Sequence, residues 1–198
     1  MFRRLGPRLI SADEIVHRLL REEEEVKSAV MFAFDQQIRA KDGSIDRAKL
    51  GEIVFNSPEN LSRLTDLLYP RVRAEIRRFF EEGEKSDEEV RVAEVPLLIE
   101  GGALELYDVI VVVKASDENQ LKRFLERGGT KEDFDRRNRN QMDMAEKVKC
   151  ADFVIDNDGS VEETFEQVKS VYEDIRRKGI APATSSETRP KTGNNSQR

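Results

Sequence analysis

Asp13 lies at the junction of PRLI, an apolar stretch over 7–10, and SADEIV, where a helical pattern begins. A carboxylate at the carboxyl end of a parallel strand stands where α/β proteins place substrates, and there it can accept a proton from a hydroxyl. The same aspartate can instead cap the helix, offering its oxygens to unpaired amides. Spacing alone leaves both readings open. A second group is cationic: Arg136, Arg137 and Arg139 crowd the stretch DFDRRNRNQ. Guanidiniums at this density suit polyphosphate, because each donates a planar fork and can neutralise charge that builds during phosphoryl transfer. On a solvated helix they would simply pair with Asp133, Asp135 or Asp143.

Two loops complete the set. EVPLLIEGG places Glu94, Pro96 and Glu100 at the end of a strand, as the wall of a substrate pocket or as a solvated turn. CADFVIDNDGS puts Asp156, Asn157 and Asp158 between a short strand and a capped helix. Backbone groups in such a loop can surround an adenine, although Asn, Asp and Gly also make ordinary turns. His17 decorates the first helix, at a place where an anion could sit, and Cys150 reads as a small buried filler.

These residues need elements to hold them. Residues 13–40 repeat apolar positions at helical spacing, through Ile15, Leu19, Val26, Val30 and Phe34. KDGSIDR is a turn centred on Asp42 and Gly43. Ser57 and Pro58 start a helix that continues past Pro70 to near Gly83. Strands follow over 90–99, 107–115 and 152–156, besides the one at 7–10. The run from Val109 to Val113 is apolar on both faces, as inside a parallel sheet covered by helices. Between the strands lie helical segments, the βαβ signature. Ser160 and Glu163 form a capping box for a last helix, whose stripe is Val161, Phe165, Val168, Tyr172 and Ile175 and whose stop is Gly179. Residues 179–198 have no periodicity and the composition of a disordered tail.

Composition narrows the function. The formal net charge of −6 argues against a protein that coats nucleic acid. One cysteine and one histidine leave nearly no route to a Cys/His zinc site. No apolar run approaches the length of a membrane span, and a cytoplasmic protein is expected.

Taken in order, the pieces resemble one family. LGPRLISADEIVHRLL resembles its strand–Asp–helix segment, and DGSIDRAKLGEIVFNSPENLSRLTDLLYPRVR its helical substrate-side region. EVPLLIEGGALELYDVIVVVKASDENQLKRFLERGG resembles its Pro-Leu-Leu-x-Glu strand, the next strand and a Gln-Leu-x-Arg helix. RNRNQ and ADFVIDNDGS resemble its lid and nucleotide-side loop. The family is that of the dephospho-coenzyme A kinases. The resemblance implies a P-loop nucleotide-kinase-like α/β fold over 1–178, a parallel sheet flanked by helices, with a helical substrate-side region at about 14–83 and a lid at about 117–147. It implies transfer of the ATP γ-phosphoryl group, with Mg2+, to the 3′-hydroxyl of dephospho-coenzyme A. Asp13 would be the base, with Pro96, Glu100 and His17 on the substrate side. Arg137 would reach the ATP phosphates as a catalytic lid residue, beside Arg136 and Arg139, with Asn157 near adenine.

Some positions depart from the family pattern. Ser11 stands where a first Asp is expected, Tyr69 where a His precedes Pro, and Gly128 where an acidic residue often follows Arg127. A larger departure is the absence from the 198 residues of GxxxxGK[ST], the loop whose amides, Lys and hydroxyl hold phosphate and magnesium. The resemblance implies that about 20 residues precede Met1 in the family pattern, the span of a strand, phosphate loop and part of a helix. That strand would lie centrally, between the Pro96 and Val111 strands. The expectation is an N-terminally truncated kinase, inactive as written. The alternative is a non-catalytic relative that binds dephospho-coenzyme A as a regulatory or partner module.

Overall fold

The helical repeat of the first 84 residues becomes four helices around one apolar core. The structure, a computed structural model, describes residues 1–84 and 90–178. The single helical pattern over 13–40 divides into α1 (Ala12–Glu22) and α2 (Glu24–Phe34). Glu23 adopts an extended backbone, φ −91° and ψ 108°, and turns the chain between them. The bend lets both apolar stripes, Ile15 and Leu19 of α1 and Val26 and Val30 of α2, join one core. Asp46 caps α3 (Arg47–Phe55), accepting from the amides of Ala48 at 3.1 Å and Lys49 at 3.2 Å.

Ser57 Oγ accepts from the Asn60 amide at 3.2 Å and starts α4 (Pro58–Glu84), as the start signal predicts. Pro70 lies inside this helix of 27 residues. An interior proline removes a backbone hydrogen bond and costs about 3 kcal/mol. The buried row Leu68, Val72, Ile76 and Phe79 flanks it and supplies the packing that offsets this cost.

Four short strands carry the α/β part. β1 (Arg8–Ser11) pairs in parallel with β2 (Arg91–Glu94), in register from Arg8 opposite Arg91 to Ser11 opposite Glu94. β3 (Val111–Lys114) pairs in parallel with β4 (Phe153–Asp156). The strands are shorter than their apolar runs: the chain turns from Pro96 to Gly102, and pairing of β3 begins only at Val111. Among the described residues no ladder joins the two pairs, so the fold expected to lack a central strand consists of two two-stranded sheets. Val112 is buried, whereas Val113 is 52% exposed on the wall of a cavity.

Three helices follow β3: α5 (Asp117–Glu126), α6 (Lys131–Asn138) and α7 (Met144–Lys149). Ser116, Thr130 and Asp143 cap them through the amides of Asn119, Asp133 and Ala145. The Ser160/Glu163 box forms in both directions, at 2.7 and 3.1 Å, and opens α8 (Val161–Lys178). The buried stripe of α8 is Thr164, Val168, Val171 and Ile175, with Phe2 and Leu5 packed against it; Val161, expected in the stripe, is 61% exposed. Cys150, expected to be buried, is half-buried against the cluster of Ile110 and Val112. Gly179 and the expected tail lie outside the described residues.

Leu19 is fully enclosed where α1, α2 and α4 meet. Leu19→Ala should cost about 3 kcal/mol in urea unfolding, the usual loss for a buried leucine. A loss below about 1 kcal/mol would contradict this packing.

Candidate active site

The chain just beyond each of the four strands contributes to one cavity of about 720 Å³. Asp13 comes from the end of β1, Val95 and Pro96 from β2, Ala115 from β3, and Asn157 from β4. Parallel strands send their carboxyl ends the same way, and α/β folds bind ligands there. The volume suits a nucleotide-sized ligand.

Asp13 is not the helix cap. Ser11 occupies that position, without a side-chain cap bond, and Asp13 sits in the first turn. Its carboxylate is exposed on the cavity wall and, among the described residues, takes no hydrogen bond. The helix thus places the carboxylate without consuming it.

The loop after β2 forms the opposite lip and is held from below and from the side. Leu97 adopts φ +57°, an uncommon conformation for a side chain of this size and one concentrated at functional sites. Gly101 packs so closely on the Tyr69 ring that a Cβ would stand 2.8 Å from it. Arg73, one turn beyond Tyr69 on α4, donates to the Gly101 carbonyl. Glu100 lines the cavity, and its carboxylate is already engaged, with Lys147 Nζ at 2.9 Å and the Met142 amide at 2.9 Å. Burial opposes ionisation of Glu100, yet the ammonium and the amide outweigh it and hold the carboxyl below its ordinary value. Burial raises Tyr69, as does the nearby Glu100 charge, and burial pushes Tyr107 up to about 12.

The three arginines of the DFDRRNRNQ stretch diverge. Arg137 alone lines the cavity; it pairs with Asp133 at 3.1 Å and lies over the rings of Phe55 at 4.6 Å and Phe124 at 5.6 Å. Arg136 turns away, to Asp133 and to Asn56 Oδ1, both at 3.0 Å. Arg139 lies in a separate shallow depression with Glu132, Asp135 and Asn138. Arg136, together with an Asn140 bond to the Phe55 carbonyl at 3.4 Å, ties α6 to the end of α3.

The loop after β4 is held by several hydrogen bonds. Asp158 accepts from the Ser116 amide at 2.8 Å, the Ser116 hydroxyl at 2.8 Å and Asn119 Nδ2 at 2.8 Å. Those bonds hold its carboxyl below the ordinary value. Gln167 of α8 exchanges two bonds with the backbone of Asp156, and Asn157 faces the cavity. His17 does not line the cavity; its ring contacts Arg47 of α3 on an exposed surface.

Sequence reading missed Arg123, Arg127, Phe55 and Lys147, all on the cavity wall. Arg123 and Arg127 carry a signal that could have found them, being four residues apart at the end of the helix after a strand. Lys147 carries none, since its partner is 47 residues away in the chain. Among the described residues, no group of three or more His, Cys, Asp or Glu could hold a metal ion.

Parallel strands whose carboxyl ends converge on a cavity walled by a carboxylate and a guanidinium place the chain in the α/β class of ligand-binding proteins. Within it, the dephospho-CoA kinase family model matches residues 1–163. The dephospho-CoA kinase of Aquifex aeolicus is 40% identical over 177 residues, which cover 89% of either protein. That of Carboxydothermus hydrogenoformans is 41% identical over 85% of this chain and 82% of its own. The solved dephospho-CoA kinase from Campylobacter jejuni superposes with a TM-score of 0.62 at 31% identity, covering 89% of this chain and 88% of that one. The chain belongs to the dephospho-CoA kinase family.

Glu100 gives the site a pH signature. Because its folded pKa is depressed, its pairing stabilises the fold above the ordinary value of 4.5 and is lost as pH falls below it. Glu100→Gln should cost about 2 kcal/mol at pH 7, between the limits for exposed and buried pairs. In urea unfolding at about pH 3 the deficit should shrink; a deficit that does not change with pH would contradict the pairing.

Proposed function

We propose that the chain serves the ATP-dependent phosphorylation of the 3′-hydroxyl of dephospho-coenzyme A, the last step of coenzyme A synthesis, in the cytoplasm. The observation that carries this reading is the free Asp13 carboxylate, in a cavity that receives the carboxyl end of every described strand. Asp13 orients the hydroxyl and takes its proton as the 3′-oxygen attacks the γ-phosphorus. The bond from that phosphorus to the β–γ bridging oxygen breaks, and ADP leaves. Arg137, fixed by Asp133 and two rings, offers positive charge to the phosphates. Asn157 lies beside the adenine, while Pro96 and the backbone around Glu100 shape the acceptor wall. Among the described residues no helix is long and apolar enough to cross a membrane, in keeping with that compartment.

The 198 residues contain no GxxxxGK[ST], so this chain offers the donor phosphates no glycine-rich cradle. A second reading is a module that binds dephospho-coenzyme A without turnover. Calorimetry tests what the two readings share. The 198-residue chain should bind dephospho-coenzyme A roughly tenfold more tightly than coenzyme A, whose 3′-phosphate would face Asp13 with like charge. Equal affinities would remove the acceptor from this cavity.

Turnover separates the readings. The chain alone should show none; turnover by it would discard the module. Joined behind a strand and a GxxxxGK[ST] loop, it should phosphorylate dephospho-coenzyme A, and Asp13→Asn should then lower the rate about 100-fold with ATP affinity unchanged. An undiminished rate would leave Asp13 no part in the chemistry.

A further inference from the structure

Leu97 and Gly102 bracket the loop after β2, and both lie in the left-handed region, at φ +57° and φ +64°. Glycine adopts that region freely, but leucine stays there only where its surroundings fix it. Inside the loop, the Gly101 amide donates to the Leu97 carbonyl at 2.9 Å, and the Gly102 amide to the Ile99 carbonyl at 3.1 Å. Lys147 and the Met142 amide hold the Glu100 side chain from one flank. Arg73 of α4 holds the backbone from the other, donating to the Gly101 carbonyl. That carbonyl and the Gly102 amide belong to one peptide plane. With Arg73 on one edge and the Ile99 carbonyl on the other, the plane cannot rotate without breaking both bonds.

The arginine is a costly way to tie a helix to a loop. Among the described residues its guanidinium makes this one hydrogen bond, lies over the Tyr69 ring at 5.9 Å and pairs with no carboxylate. Its Nε is buried and makes no hydrogen bond among the described residues. An unsatisfied buried donor costs about as much as one charge-assisted bond contributes, so the tie adds little net stability. Packing alone would be served by an apolar residue of the same length. What the guanidinium adds is a fixed peptide at the turn. Pro96, Leu97, Leu98, Ile99 and Glu100 line the cavity, and Arg73 does not.

We infer that Arg73 is a positioning residue: from outside the cavity it fixes, through the Gly101 peptide, the wall of residues 96–100 against which the acceptor binds. The inference rests on the proposed reaction for the name of the acceptor, and on the Arg73 contacts for the residue. Arg73 itself touches no substrate and enters no chemical step.

Two readouts test this on the 198-residue chain: affinity for dephospho-coenzyme A by calorimetry, and hydrogen exchange of the Gly101 and Gly102 amides by NMR. Arg73→Met, apolar and of similar length, should lower the affinity roughly tenfold and speed both amides roughly tenfold, the worth of one charge-assisted bond. Arg73→Lys keeps a cationic donor and should recover most of both. Gly101→Ala attacks the same contact from the loop, because the added Cβ would stand 2.8 Å from the Tyr69 ring, and it should match Arg73→Met. Arg77→Met, the same exchange on an exposed position of α4, should behave as the parent does. Circular dichroism establishes that each variant is folded; if Arg73→Met does not fold, Gly101→Ala carries the test.

Parent-like affinity in Arg73→Met and Gly101→Ala would overturn the inference, even with a lowered urea midpoint, since Arg73 would then be a structural tie only. A loss of affinity with unchanged amide exchange, or an equal loss in Arg77→Met, would overturn it as well. If the parent does not bind dephospho-coenzyme A, the acceptor reading falls. Faster exchange in Arg73→Met would then keep Arg73 as the residue that fixes the loop, and unchanged exchange would remove that role too.

Discussion

The Glu100 carboxylate, pinned by Lys147 and the Met142 amide, is the interaction on which the cavity depends. It joins the loop after β2 to α7 across the mouth of a space where no ladder links the two strand pairs. Side chains must do there what backbone hydrogen bonds do inside a continuous sheet. The pair is only partly exposed, with Lys147 at 13% and Glu100 at 19%, so its partners are weakly screened. Tyr69 and Arg73 hold the same loop from α4, which makes the lip of the cavity common to α4, β2 and α7.

Charge is distributed unevenly around that space. On one wall Asp13 keeps a carboxylate that its helix does not use, because the cap position belongs to Ser11. On the other, Lys114 and Arg137 are neutralised in place, whereas Arg123 and Arg127 are not. Arg137, paired with Asp133 and lying over the rings of Phe55 and Phe124, loses little freedom on meeting a ligand, which favours orientation.

Much of this was legible in the sequence, for reasons that differ by element. Caps at Ser116 and Ser160, the start at Ser57–Pro58 and the strand centres depend on residues a few positions apart, and local chemistry decides them. Glu23 breaks a helix that its neighbours' periodicity would continue, because packing of α1 and α2 into one core outweighs local preference. Of the arginine stretch, one side chain in three lines the cavity, since successive helix positions point about 100° apart. The Glu100–Lys147 pair was invisible, as only the fold brings those residues together.

A crystal structure of the chain with dephospho-coenzyme A bound would test the account most directly, because it rests on Asp13 facing the acceptor hydroxyl. The 3′-oxygen should lie about 3 Å from the Asp13 carboxylate, with the ribose between Pro96 and the end of β1. A bound ligand whose 3′-hydroxyl lies away from Asp13, with that carboxylate turned to the amides of its own helix, would contradict it.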